Sequence, residues 1–308
     1  MSLSGLDGTS LLSAQGSVLG TECSLNIRTG HRGECGHACV RMRLGVALMI
    51  GSAHVQGELW GNAPRDWVEI QDGFSIPLWE TALDALGVKV GTRFLDAGCG
   101  AGGACALALR RGAAVYGVGA SAGLLQAARE RVPDGDFRQG DLEDLPYTDV
   151  SFDAVFACNS LQYCSNQLAA LRELRRVCAA GGTVAVCVWG RAEDCEMREV
   201  LIAIAQLLPR PPSGEDPFAL SSPGVLDELL AHAGLRISAR GEVDCPFYYP
   251  DLATLWRGVR SSGPLEAAVR VAGEDPVRRA VLDAVQPFRT SGDGVRLDNR
   301  FVYIIAKP

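Results

Sequence analysis

Lysine is almost missing from this chain of 308 residues; Lys89 and Lys307 are the only two. Its basic charge is therefore carried by arginine, and chemistry that needs a buried catalytic lysine is nearly excluded. Long basic stretches are missing as well. With a formal net charge of -7, nucleic acid is not an expected partner, because phosphate backbones are tracked by clustered cations. No apolar run approaches the roughly 20 residues that span a bilayer. The opening MSLSGLDGTS has neither the basic head nor the apolar core of a signal peptide. No membrane partner is expected, and the expected location is the cytoplasm.

What is present is enough for a large core. Hydrophobic residues make up 47% and charged residues 21%, a globular composition. Of the 11 cysteines, several sit in apolar runs (Cys99, Cys105, Cys158, Cys178, Cys187). Buried free cysteine behaves as a small hydrophobe, so the pattern reads as a reduced protein rather than a disulfide scaffold.

Residues 1–55 carry Gly, Ser and Thr without apolar periodicity, and read as a poorly ordered segment before a domain over 56–308. Met49 would serve as a first residue. Cys35, His37 and Cys39, with Cys23 and His31 upstream, fit no common zinc finger or ribbon spacing. They read as incidental, and no metal is expected.

From Phe74 onward the pattern is regular. Trp79, Ala82, Leu83 and Leu86 recur at helical spacing before Gly87. Strands are expected at Thr92–Asp96, Ala114–Val118, Asp136–Gln139, Phe152–Cys158 and Thr183–Trp189, with helices between them. Strands alternating with helices argue for a parallel sheet covered on both faces. The last third reads as helical over 193–207, 223–233, 251–259, 265–271 and 276–285. Strands are expected there at Leu235–Arg240 and Arg296–Ile305.

The most informative segment is Phe94-Leu-Asp96-Ala-Gly98-Cys99-Gly100-Ala-Gly102-Gly103. An acid ends a strand, glycines follow, and a helix begins. Glycine lets a backbone approach a ligand closely, and a helix amino terminus favours an anionic group. A P-loop needs Gly-Lys-Ser/Thr, and no lysine is near. Nicotinamide loops usually start with glycine directly after the strand, and want an acid about 20 residues on, where this chain has Gly119. The Tyr-x-x-x-Lys pair of short-chain dehydrogenases cannot be made. The remaining reading is S-adenosylmethionine (SAM): Asp96 for its ammonium, the glycine turn for the adenosyl group, the helix end for its carboxylate.

These residues resemble the class I SAM-dependent methyltransferases, in particular the small-molecule group that includes ubiquinone and menaquinone methyltransferases. Asp96-Ala-Gly98-Cys99-Gly100-Ala-Gly102 is similar to the first motif of that family. Gly140-Asp141-Leu142-Glu-Asp-Leu-Pro146 with Ser151-Phe-Asp-Ala-Val155 resembles the segment that reaches the adenine, and Arg175–Thr183 resembles the turn before the fifth strand. The likeness implies a Rossmann-like sheet of seven strands, the last antiparallel, with helices on both faces and a helical insertion at about 242–294. It also implies that Asp141 accepts the adenine amino group and that the Leu142 amide meets a ring nitrogen. One departure stands out: Gly119-Ala120-Ser121 offers no acid for the ribose hydroxyls. Losing such charge-assisted bonds costs about 1.5–3 kcal/mol, unless Ser121 takes their place.

Asn159 and Tyr163 follow the fourth strand and are placed to touch cofactor or acceptor. The chain lacks Asn/Asp-Pro-Pro-Tyr there, which speaks against nucleic acid and protein amide acceptors. Trp189, Tyr248 and Trp256, with Tyr249, are candidates to line an apolar acceptor pocket. His54 and His232 are the candidate bases, and no catalytic residue is assigned. The expected function is methyl transfer to O, N or C of a small, largely apolar metabolite. The alternatives are the same fold without methyl transfer, or a noncatalytic partner subunit. Partners expected are the small acceptor and, at most, a second copy of the chain.

Overall fold

Alternation along three central strands builds two cores from one sheet. In β1 (Arg93–Ala97) Phe94 faces one side and Leu95 and Ala97 the other. In β4 (Phe152–Cys158) Ala154 and Phe156 join the first core, while Val155 and Ala157 join the second. β5 (Cys178–Trp189) repeats this with Ala185 and Cys187 against Val184, Val186 and Val188. Strands apolar on both faces can only be buried, which is why they are central and parallel. The computed structural model describes residues 52–209 and 216–308. The cysteine-histidine cluster and nearly all of the segment expected to be poorly ordered lie outside them.

β2 (Ala114–Gly119) and β3 (Asp136–Gln139) extend the sheet on one side. β6 (Arg236–Asp244) and β9 (Arg300–Lys307) complete it on the other, in the order β3-β2-β1-β4-β5-β9-β6. β9 runs antiparallel between β5 and β6. The seven-stranded sheet with an antiparallel last strand is therefore as the sequence implied.

Helices α3 (Ile76–Ala85), α4 (Gly103–Arg110) and α7 (Met197–Ala205) cover the first face; α6 (Gln167–Val177) and α8 (Val225–His232) cover the second. Local chemistry sets their starts. Ser121 caps α5 (Ala122–Arg131) by accepting the Leu124 amide at 3.2 Å, and Asn166 caps α6 through the Ala169 amide at 3.0 Å. Such caps contribute about 1 kcal/mol each.

Four expectations are corrected. Helix α1 (Ala53–Trp60) begins inside the stretch read as poorly ordered. The helix expected at 193–207 starts at Met197, because Cys195 pairs with Asn299 in an isolated bridge. The insertion lies between β6 and β9, and it is not wholly helical. It holds α9 (Leu252–Arg260), α10 (Gly263–Ala272) and α11 (Glu274–Ala284), framed by a ribbon of β7 (Phe247–Tyr249) and β8 (Val295–Leu297). The run read as one strand from Arg296 is split by buried Asn299, whose Oδ1 accepts the Met197 amide at 3.0 Å.

Candidate functional site

Strand order reverses between β1 and β4, and ligands of open α/β sheets bind outside the carboxyl ends of strands at that point. A cavity of about 230 Å³ lies there. The glycine loop forms its floor: the Gly98 and Cys99 amides donate to the Val118 carbonyl at 2.8 and 2.9 Å, and the Gly102 amide to the Cys99 carbonyl at 2.8 Å. Gly98, Gly100 and Gly102 all hold positive φ, at 93, 51 and 74°. They differ in surroundings. A Cβ at Gly98 would lie 2.3 Å from the Ser160 Cβ, whereas nothing stands within 4 Å of one at Gly100. Gly98 is thus required by the protein's own packing, and Gly100 is the open cradle.

Asp96 is 4% exposed and lines this cavity. Its hydrogen-bond partner is the Cys105 thiol at 3.7 Å. Burial, helped by the nearby charge of Asp72, pushes its carboxyl up to about 7. No Lys, Arg or His side chain is among the described residues that line the cavity, which holds three carboxylates, Asp72, Asp96 and Asp141. A buried carboxylate without a cation beside it is costly, and a ligand ammonium would relieve that cost.

Gly119, Ala120 and Ser121 also line the cavity, as do Cys99 and Leu142. Ser121 is spent as a helix cap, so its hydroxyl already accepts one hydrogen bond. Asp141 is engaged too. Oδ2 accepts the Ala53 amide at 3.2 Å and Oδ1 the Glu143 amide at 3.0 Å. Helix α1 is thereby fastened beside Asp141, and a Cβ at Gly57 would stand 2.6 Å from the Ala120 carbonyl oxygen. Asn159 holds φ of 51°, and its Oδ1 is buried with no partner among the described residues. An orphaned acceptor at this strand end is suited to a ligand donor. Gly100, Asp96 and Asn159 together fit SAM.

The aromatic expectations divide. Tyr163 and Trp189 line the cavity. Burial pushes the Tyr163 hydroxyl up to about 12, and its ring meets Trp60 edge-on at 5.3 Å. Tyr248 is corrected: strand alternation turns Phe247 and Tyr249 inward and leaves it 56% exposed. Trp256 is corrected as well, being 7% exposed in the core and outside the cavity lining. Neither candidate base reaches the site. His54 faces solvent on α1, 3.6 Å from Glu58, and His232 is exposed on α8. Burial also pushes up the thiols of Cys99 and Cys158, so neither supplies a thiolate.

Other lining residues escaped the sequence reading. Gln56, Trp60, Trp67, Gln71, Ser75 and Trp79 line the cavity at intervals of three or four residues or their sums. That is one face of a helical strap running from α1 through α2 (Pro64–Asp66) and a π-helical turn at Trp67–Gln71 into α3. The spacing was visible in the sequence, but it is equally that of a core-facing helix. Four of the 5 tryptophans line this cavity. Buried Asp72, on the same strap, pairs with Arg131 of α5.

Residues 95–186 match the family model described as a methyltransferase domain. A demethylmenaquinone methyltransferase of Beutenbergia cavernae is 39% identical over 110 residues, which are 35% of this chain and 46% of that one. A malonyl-[acyl-carrier protein] O-methyltransferase of Erwinia pyrifoliae is 37% identical over 115 residues, 37% of this chain and 43% of the relative. The chain thus spans less than half the length of these curated relatives. Among solved structures, the YcgJ protein of Bacillus subtilis gives a TM-score of 0.53 at 19% identity, covering 74% of this chain and 97% of that one. A Haloferax volcanii putative methyltransferase, solved with the Trm112 methyltransferase activator, gives 0.53 at 21%, covering 82% and 97%. Residues 95–186 are accordingly a methyltransferase domain, and the fold around them is that of the class I SAM-dependent methyltransferases.

Proposed function

We propose that this chain binds SAM and transfers its methyl group to O, N or C of a small, largely apolar metabolite. The observation that carries this is Asp96: a buried carboxylate at the tip of β1, in a cavity lined by no basic side chain among the described residues. SAM supplies a carbon already activated by its sulfonium. The chain's own residues bind and orient. Asp96 receives the ammonium, the Gly98–Gly100 backbone admits the adenosyl group, and Asp141 meets the adenine. Trp60, Trp67 and Trp189 enclose the acceptor and exclude water. In-line displacement needs alignment and desolvation before it needs a base, which agrees with a cavity that His54 and His232 do not reach. The names of the two curated relatives point to different acceptors, demethylmenaquinone and malonyl-[acyl-carrier protein], and so support a methyl-transfer class rather than one substrate.

Gly119 favours a second reading, ligand binding on this fold without methyl transfer. Calorimetric titration with SAM and S-adenosylhomocysteine, followed by methyl transfer to a panel of phenols, amines and enols, separates the two. Failure of both cofactors to bind at millimolar concentration rejects the first.

A further inference from the structure

One polar group in the aromatic wall takes no part in the cofactor chemistry above. Gln71 ends the π-helical turn Trp67–Gln71, and π turns recur at functional sites. It is 9% exposed and lines the cavity. Its Oε1 accepts the hydroxyl of fully buried Tyr249 at 2.6 Å. Gly258 leaves room for this pair: a Cβ there would come within 3.0 Å of the Tyr249 ring and 3.2 Å of Oε1. With Oε1 committed, Nε2 carries two donors. It makes no hydrogen bond among the described residues, yet it is not an orphan sealed inside the protein. Those donors are thus reachable, on a side chain that lines the cavity. Accepting the Tyr249 hydroxyl explains Oε1 and leaves Nε2 unexplained.

We propose that Gln71 is a specificity-determining residue, donating through Nε2 to a carbonyl oxygen of a cyclic, largely apolar acceptor, with Tyr249 as its positioning residue. The assignment rests on reading this part of the cavity as the acceptor chamber. Trp67, Trp189, Phe247, Val259 and Leu265 line the same cavity. In such apolar surroundings a hydrogen bond is strengthened and an unmet donor is penalised. A ketone is preferred over its parent hydrocarbon on both counts.

The test uses 1-tetralone and tetralin, one skeleton with and without the carbonyl, titrated calorimetrically into the full chain. The wild type is expected to bind the ketone about tenfold tighter. Gln71→Glu, titrated at a pH where its carboxyl is ionised, keeps an acceptor for Tyr249 and removes the donor, so the preference should fall to within about twofold, at a cost in melting temperature because the new carboxylate is buried. Tyr249→Phe should reduce the preference part way, whereas a purely structural role would weaken both ligands equally. Should Gln71→Glu misfold, the double variant Gln71→Met/Tyr249→Phe removes both partners and leaves no polar orphan. Equal affinities in the wild type, binding of neither compound, or a preference retained in Gln71→Glu overturns the assignment. SAM takes no part in these titrations, so they fail or succeed separately from methyl transfer.

Discussion

The Asp141 carboxylate accepts the Ala53 amide at 3.2 Å, so the residue proposed to meet the adenine also holds the first turn of α1. Helix α1 contributes no buried residue of its own. Its attachment rests on such polar contacts, on the approach of Gly57 to Ala120 and on the edge-on contacts of Trp60 with Trp67 and Tyr163. Asp141→Ala should therefore act twice, weakening SAM binding and loosening α1 by about 1 kcal/mol, the usual worth of a helix-start acceptor. Hydrogen exchange reads the second effect: faster exchange is expected in residues 53–60 and not in β1 or β4. Unchanged exchange in α1 would leave Asp141 with the ligand role alone.

Asp96 gives the site a pH dependence of known sign. Its carboxyl ionises near 7 in the folded protein against an ordinary value of 3.8. The protonated form is thus favoured by folding. Its stabilising effect is complete below the ordinary value and is lost as pH climbs through about 7. Binding of a cationic ammonium has the opposite sign, because it needs the carboxylate. Affinity for SAM should rise about tenfold between pH 6 and pH 7.5, with proton release on binding below pH 7. Asp96→Asn should weaken binding and flatten that profile. A steep profile surviving in Asp96→Asn would place the titration elsewhere.

Gly98 and Gly100 should separate stability from binding. Gly98→Ala forces a methyl against Ser160 at a φ of 93° and should lower apo stability by about 2 kcal/mol or more. Gly100→Asn meets open space, and asparagine tolerates its φ of 51°. That variant should melt near the wild-type temperature and bind SAM poorly. Calorimetric melting and titration of the two proteins check both halves.

Gly119 can be given back the missing acid. It does not hold a positive φ, and a Cβ there would sit 3.3 Å from Leu125 Cδ2, a contact that a small shift relieves. Because Ser121 already serves as a cap, it is poorly placed to replace that acid. Gly119→Asp should tighten SAM binding by roughly 10- to 100-fold, the worth of charge-assisted bonds to the ribose hydroxyls. Unchanged affinity at an unchanged melting temperature would mean that the ribose is held by other groups.

Patterns local in the chain were legible without the fold. Apolar runs set β1, β4 and β5, and the Asp96–Gly102 motif set the floor of the cavity, because each depends on neighbours a few residues away. Distant packing decided the rest. Strand alternation turned Tyr248 outward, core packing withdrew Trp256, and Asn299 divided a run that reads as one strand. Helical spacing alone could not tell whether the strap from Gln56 to Trp79 faced a core or a cavity. Only the closing of α1 onto Asp141, and of Tyr249 onto Gln71, turned that face into the wall of a site. Such contacts join residues 88 and 178 positions apart, a separation over which local sequence pattern carries no information.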